Sequence, residues 1–336
     1  MTRDNHTIWM AAPGRVEVRE SAIPAPDEGE VLIRSRRSLI SGGTELAIFE
    51  HDPATGRAWS EFAHFPRRMG YSNAGVVADT GAGVPREWVG KRVVSRGCHA
   101  AWVTRPVGDL RVIPDDVPDD DAAFATLASV AMHGLRRATL TWGETVAVFG
   151  LGIMGQLSAR FCEAAGASRV FGIECCEMRL QKLPSRAGML QLKAGDSRLP
   201  ETMRALNAGN AIDLAIEVTG CADAIPGEIE VLRDQGRLLL LSSPRGSTSF
   251  DFHELCNRRS ISIVGAHGFA QPTTATLDNP WTGRRHSELF MEWIVAGRVT
   301  VRELVTHRFR FEQAADAYAV LVRRRSEALA VIFTWE

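Results

Sequence analysis

ETVAVFGLGIMGQLSARFCEAAGASRVFGIE, residues 144–174, is the stretch on which the fold turns. Thr145-Val-Ala-Val-Phe149 is a short apolar run between Gly143 and Gly150, the pattern of a strand buried on both faces of a parallel sheet. Gly150-Leu-Gly152-Ile-Met-Gly155 follows at once, then helix formers from Gln156 to Ala165, then a second β-like run from Ser168 to Ile173 that ends at Glu174. Each glycine has a job in such a turn. Gly150 allows the tight bend, Gly152 lets backbone approach a pyrophosphate, and Gly155 lets the helix pack close to the strand. A carboxylate roughly 20 residues beyond the last glycine is placed to accept hydrogen bonds from the ribose hydroxyls of a dinucleotide. Strand, turn, helix, strand and acid in this order predict a dinucleotide site. Gly150, Gly152, Ile153, Met154, Gly155 and Glu174 are its first residues, with Arg179 just downstream and Thr219 and Ser242 after later strands.

The rest of the chain can hold a second domain. With 336 residues, 45% hydrophobic and 24% charged, two cores can be buried. A formal charge of −1 argues against nucleic acid or an anionic membrane as partner. The first residues, Met1-Thr-Arg-Asp-Asn-His-Thr-Ile-Trp9, lack the apolar centre of a signal peptide, and no run reaches membrane-spanning length. Six cysteines show no C-x-x-C spacing and two are adjacent, which suits neither a disulfide framework nor a zinc ribbon. A cytoplasmic protein with reduced thiols is expected.

Before the central stretch, short alternating runs separated by Gly and Pro turns predict a β-rich domain, with a polar loop through His51 and Trp59. Asp119-Asp-Asp opens a helix through Arg137. After it come a strand over 211–218, a helix over 222–233, a strand from Gly236 to Ser242, a short helix over 250–257 and a final strand over 260–264. Alternation of this kind means a doubly wound parallel sheet. Residues 267–286 are polar and without periodicity, as in a functional loop or lid. A helix over 287–296, a strand near Val305, a helix over 311–323 and a strand over 328–333 close the chain.

Taken together, Gly42-Gly-Thr-Glu45, Gly70-Tyr-Ser-Asn-Ala-Gly75, Val89-Gly-Lys-Arg-Val93, Ala128-Ser-Val-Ala-Met-His-Gly134 and the glycine fingerprint resemble the medium-chain dehydrogenase/reductase superfamily over almost the whole chain. The resemblance implies an α/β protein: a GroES-like β-rich catalytic domain formed by residues 1–128 and 269–336, and a Rossmann domain of residues 129–268. It also implies a nicotinamide cofactor, a small-molecule substrate and a homodimer paired along the edge strand 260–264. Zinc-dependent members carry a Cys where this chain has Gly42, a His-Glu pair where it has Tyr71 and Ser72, and a third ligand where it has Ser129. None of these supplies a thiolate or imidazole set, and the four-cysteine lobe for structural zinc is missing. The chain is similar to a zinc-less branch of the bacteriochlorophyllide dehydrogenase-like kind, and no metal is expected.

Without a Lewis acid, the chemistry falls to hydroxyl and imidazole groups. Thr44 stands where the family often relays protons to ribose, against the alternative of a local backbone cap. Tyr71 stands in a ligand's place, against a strand aromatic. His133 lies four residues from Ser129 and so on the same helix face, as a titrating group or a structural one. His267 and Trp281 are candidates to touch substrate, and Glu45 is either a remnant behind the lost metal or a partner for Arg. Cys98 and His99 have no further ligands in sequence to make a metal site. Three functions compete: an NAD(H)-dependent dehydrogenase acting on a secondary alcohol or ketone, such as a polyol or cyclitol; a zinc-less enoyl or quinone reductase; and a non-catalytic redox sensor. Glu174 favours NAD(H) over NADP(H), with Arg179 as the feature that works against it.

Overall fold

The computed structural model describes residues 4–51 and 64–335, so the polar segment through Trp59 and the first three residues lie outside the described part. The chain forms two compact units, one of Met1–Ser129 with Arg284–Glu336 and one of Val130–Gly283. The first boundary falls inside the helix Ala125–Arg137 and the second at Arg284 rather than at 269.

The second unit is built on six parallel strands. Their order is Met189–Lys193, Arg169–Glu174, Thr145–Phe149, Ile212–Glu217, Leu232–Leu240 and Ser262–Gly265. Every residue of Thr145–Phe149 is buried, because strands pair with it on both sides and helices cover the sheet. The chain winds outward from this central strand to one edge, returns, and winds to the other. Its direction reverses between Thr145–Phe149 and Ile212–Glu217, the place where open α/β sheets bind ligands beyond the carboxyl ends of their strands.

Several boundaries differ from the sequence pattern. The helix expected over 222–233 is shortened to Ile225–Glu230, because Leu232 already pairs with Ile212 and opens the next strand. The acidic helix is broken into Asp119–Ala122 and Ala125–Arg137. The strand Met189–Lys193 and the helix Leu199–Leu206 were not anticipated at all, although Gly188 and Gly195 bracket the strand's apolar residues. Within 267–286 there is only a short turn of helix, Gly268–Ala270, before the helix Gly283–Val295 begins, and His286 is buried on that helix.

The first unit carries a seven-stranded sheet. Glu30–Leu39 is its hub, pairing with Asn73–Thr80, Trp102–Pro106 and the C-terminal strand Ala330–Thr334. A smaller sheet centres on Asn5–Ala12. Ile8, Met10, Ile40, Leu46, Ile48, Tyr318 and Phe333 meet in one core. Burying an aliphatic or aromatic side chain of this kind contributes roughly 1.5–3 kcal/mol. Such packing holds the short helix Thr44–Glu50, which at seven residues would not persist alone.

Helix and strand approach so closely at the fingerprint that a Cβ on Gly155 would lie 1.8 Å from the Gly150 carbonyl oxygen, whereas one on Gly152 would meet nothing within 4 Å. Gly155→Ala is therefore expected to destabilise the protein by about 1–3 kcal/mol, the range for overpacking. Gly152→Ala should change stability by less than about 0.5 kcal/mol. Denaturant midpoints of the two variants test this, and equal midpoints would refute it.

Candidate functional site

In the second unit, a cleft of about 480 Å³ opens at the carboxyl ends of the strands. Gly150, Gly152, Glu174, Arg179 and Thr219 all line it. Gly150 has φ of +92°, which a side chain would strain. The helix Ile153–Ala164 starts at Gly152 with no side-chain cap, so its first amides are free to meet an anion. Ile153 and Gly155 are buried behind this turn and Met154 is half-buried, so what these positions can offer a ligand is chiefly backbone.

Glu174 is buried at the end of its strand and is already engaged by its own chain. One carboxylate oxygen accepts from the Leu151 amide at 2.8 Å; the other accepts from the Cys175 and Cys176 amides, both at 2.9 Å, and from the Cys175 thiol. Burial alone would raise its pKa, but the amides of Cys176 and Leu151 and the charge of Arg179 bring it below the usual carboxylate value. The group is thus a fixed anion that ties the glycine turn to the next strand. Thr219 and Ser242 serve a second buried acid. The Thr219 amide and hydroxyl each donate to Glu217 at 2.7 Å, and the Ser242 hydroxyl donates to its other oxygen. Ser242 is not among the residues that line the cleft.

The first unit gathers a different set of groups around Glu45, which is fully buried. Its carboxylate accepts from the Ser41 amide at 2.9 Å, the His99 ring at 3.1 Å and the Tyr318 hydroxyl at 2.5 Å. The Trp335 indole donates to Ser38 Oγ at 2.9 Å, and Ser38 Oγ lies 2.8 Å from His99 Nδ1. Trp335 thus fills one acceptor site of Ser38 Oγ, and the His99 ring bridges Ser38 and the Glu45 carboxylate. Tyr71 joins through Ser41, its hydroxyl donating to Ser41 Oγ at 2.5 Å, with a further hydrogen bond to Thr44. Gly70 makes this possible, because a Cβ there would lie 2.6 Å from His99. Burial pushes the Tyr71 hydroxyl up to about 12; its bonds to Ser41 and Thr44 oppose the shift and the charge of Glu45 adds to it. Burial and the same carboxylate hold Tyr318 well above its ordinary value.

The positions expected to replace zinc ligands are poor donors in three dimensions as well. Gly42 has no side chain, Ser72 Oγ donates to the Ala123 carbonyl at 2.6 Å, and Ser129 Oγ donates to the Thr126 carbonyl at 2.9 Å. Among the described residues, no group of three or more His, Cys, Asp or Glu side chains is arranged to hold a metal ion. This donor set does not fit zinc.

Residues 153–279 match the family model for the zinc-binding dehydrogenase, a span that begins after Gly42, Tyr71 and Ser129. An L-threonine 3-dehydrogenase from Chelativorans sp. (strain BNC1) is 24% identical and aligns over 93% of this chain and 94% of its own. Over nearly its whole length the chain is similar to members of the medium-chain dehydrogenase/reductase superfamily. It is an oxidoreductase of the alcohol-dehydrogenase type. Two solved structures share its fold. One is an alcohol dehydrogenase from Escherichia coli CFT073 complexed with NADH, with TM-score 0.79, 18% identity and coverage of 99% of this chain and 100% of that one. The other is a putative zinc-binding dehydrogenase from Sinorhizobium meliloti 1021 bound to NADP, with TM-score 0.80, 17% identity and the same coverage. The fold shared with these structures makes the two units of this chain a GroES-like β-rich unit and a Rossmann unit.

The remaining candidates are scattered. His133 is buried, and desolvation together with the Arg137 charge lowers its pKa, so it tends to stay neutral. His267 is exposed and contacts the Phe269 ring at 5.3 Å. Trp281 lies under the Arg136 guanidinium, 3.1 Å from its ring centroid. What sequence reasoning missed is the joining of Glu45, His99 and Tyr318 into one buried network. Residues 45 and 318 are 273 positions apart, and no local signal links them.

Proposed function

We propose that this protein is a zinc-independent, NAD(H)-preferring dehydrogenase that interconverts a small secondary alcohol, of the polyol kind, and its ketone. One observation carries this above the rest: where zinc-dependent relatives hold a metal, the chain presents the Tyr71–Ser41–Thr44 hydroxyl cluster seated against buried Glu45. The Rossmann cleft would hold the cofactor through the glycine turn, the first amides of the helix Ile153–Ala164 and Glu174. When bound, the nicotinamide supplies or accepts the hydride. The protein's own task is then the proton.

Reducing a ketone builds charge on its oxygen, which a positioned donor must stabilise. Tyr71 keeps its proton up to about 12, so it is a donor over the whole working range. The charge of Glu45 opposes a lasting tyrosinate, so the proton leaving Tyr71 must be replaced through Ser41 or Thr44 in the same motion. A hydroxyl relay of this kind answers the needs of a carbonyl more than those of a C=C bond, which favours the dehydrogenase over the enoyl reductase. Tyr71→Phe and Thr44→Val are each expected to lower kcat for ketone reduction by about 10–10³-fold with little change in cofactor affinity. Wild-type kcat should show no loss with a midpoint near the ordinary tyrosine value of about 10, because the donor form is lost only as pH rises through about 12. Near-full kcat in both variants, with hydride transfer shown by isotope effect to limit the rate, would overturn the assignment.

Glu174, a fixed anion beside the cleft, should repel a 2′-phosphate. The value of kcat/KM should therefore be higher for NADH than for NADPH, and because the donor set around Ser72 and Ser129 does not fit zinc, activity should persist in chelator. A tenfold or greater preference for NADPH, or loss of activity together with stoichiometric zinc, counts against this reading.

We also propose a homodimer paired along Ser262–Gly265, an edge strand with exposed Ser262, Ile263 and Gly265. Light scattering at micromolar concentration should give twice the chain mass, and a monomer would exclude it.

A further inference from the structure

Glu228 sits on the helix Ile225–Glu230 of the Rossmann unit and lines the same cleft. It is 1% exposed, and neither carboxyl oxygen has a hydrogen-bond partner among the described residues. The contrast with its neighbour is sharp in chemical terms. Glu217, equally buried, receives the Thr219 amide and hydroxyl, the Gly220 amide and the Ser242 hydroxyl. A buried polar group left without a partner is costly, and a folded chain seldom tolerates one unless something else completes it.

We propose that Glu228 is a binding residue of the cleft, whose side chain pairs with the adenine base of a dinucleotide. The inference rests on the cofactor reading above and says which part of the ligand the chain recognises. Burial first, and then the charge of Glu217, pushes the Glu228 carboxyl up to about 8, so at neutral pH it carries its proton. A neutral carboxyl offers one donor beside one acceptor. Adenine offers the complement, an amino group next to a ring nitrogen, which side-chain amides read in the same two-point manner. Leu199, Pro200 and Val231 give this cleft apolar walls suited to a flat base, while the phosphate-binding features lie at Gly150 and Gly152.

Calorimetric titration of the intact protein tests the assignment with NADH, its hypoxanthine analogue and reduced nicotinamide mononucleotide. The hypoxanthine analogue replaces the amino group by oxygen, and the mononucleotide lacks the base. Glu228→Leu is expected to weaken NADH binding about tenfold, the loss of roughly one good hydrogen-bonded contact. Glu228→Gln, which keeps a donor beside an acceptor, should stay within about threefold of wild type. Wild type should prefer NADH to the hypoxanthine analogue, Glu228→Leu should lose that preference, and mononucleotide binding should be the same in all three proteins. Unchanged NADH affinity and base preference in Glu228→Leu would overturn the role of Glu228 and leave the cofactor reading intact. Failure of wild type to bind any dinucleotide would overturn both. If Glu228→Leu does not fold, wild type still decides, since indifference to the base change rules the pairing out.

Discussion

A single buried carboxylate organises the first unit. Glu45 has no exposure, and its environment must supply the hydrogen bonds that water would otherwise give. Ser41, His99 and Tyr318 do so, and they come from the turn before the short helix, from the approach to the strand Trp102–Pro106 and from the C-terminal helix. Satisfying one charge therefore ties three distant parts of the chain together. Ser38 and Trp335 extend the tie to the hub strand and the last described residue. The geometry of Tyr71 follows from this, since its acceptor Ser41 is held by the same carboxylate.

The Rossmann unit repeats the device at the ends of its strands. Glu174 and Glu217 close the last residues of their strands, and each is capped by amides of the loop that follows. Both loops border the cleft, so the acids shape it from behind. Glu174, expected from the sequence to face ribose hydroxyls, is also engaged by its own chain. Much of its accepting capacity is already used to hold the glycine turn in place, and what it shows a ligand is mainly a fixed negative charge. Glu228 differs from them, since neither of its carboxyl oxygens has a hydrogen-bond partner among the described residues.

In the proposed reading, hydroxyls stand where zinc-dependent relatives hold a metal, and that changes what the site can do. A metal polarises an oxygen without moving a proton, whereas a hydroxyl must give one up and recover it. The raised pKa of Tyr71 would make it, in the proposed role, a durable donor and a poor base. Its burial beside Glu45 causes this, and residue identity alone would have suggested an ordinary tyrosine.

The parts legible in the sequence were those whose cause is local. The run Thr145–Phe149, the glycines after it and the acid at 174 announce a strand, a tight turn and a helix, because each depends on residues within a few positions of one another. The superfamily and its two-unit architecture followed from such marks. Element ends were less legible, as at Leu232, where pairing with Ile212 outweighed local helix preference. The site itself lay further out of reach. That Glu45 binds Tyr318 and His99, that Glu174 is capped by its own loop, and that Glu228 has no hydrogen-bond partner among the described residues depend on which side chains burial brings together across tens or hundreds of residues. Sequence determines which donors and acceptors exist; only tertiary packing decides which of them are taken from water and must find each other.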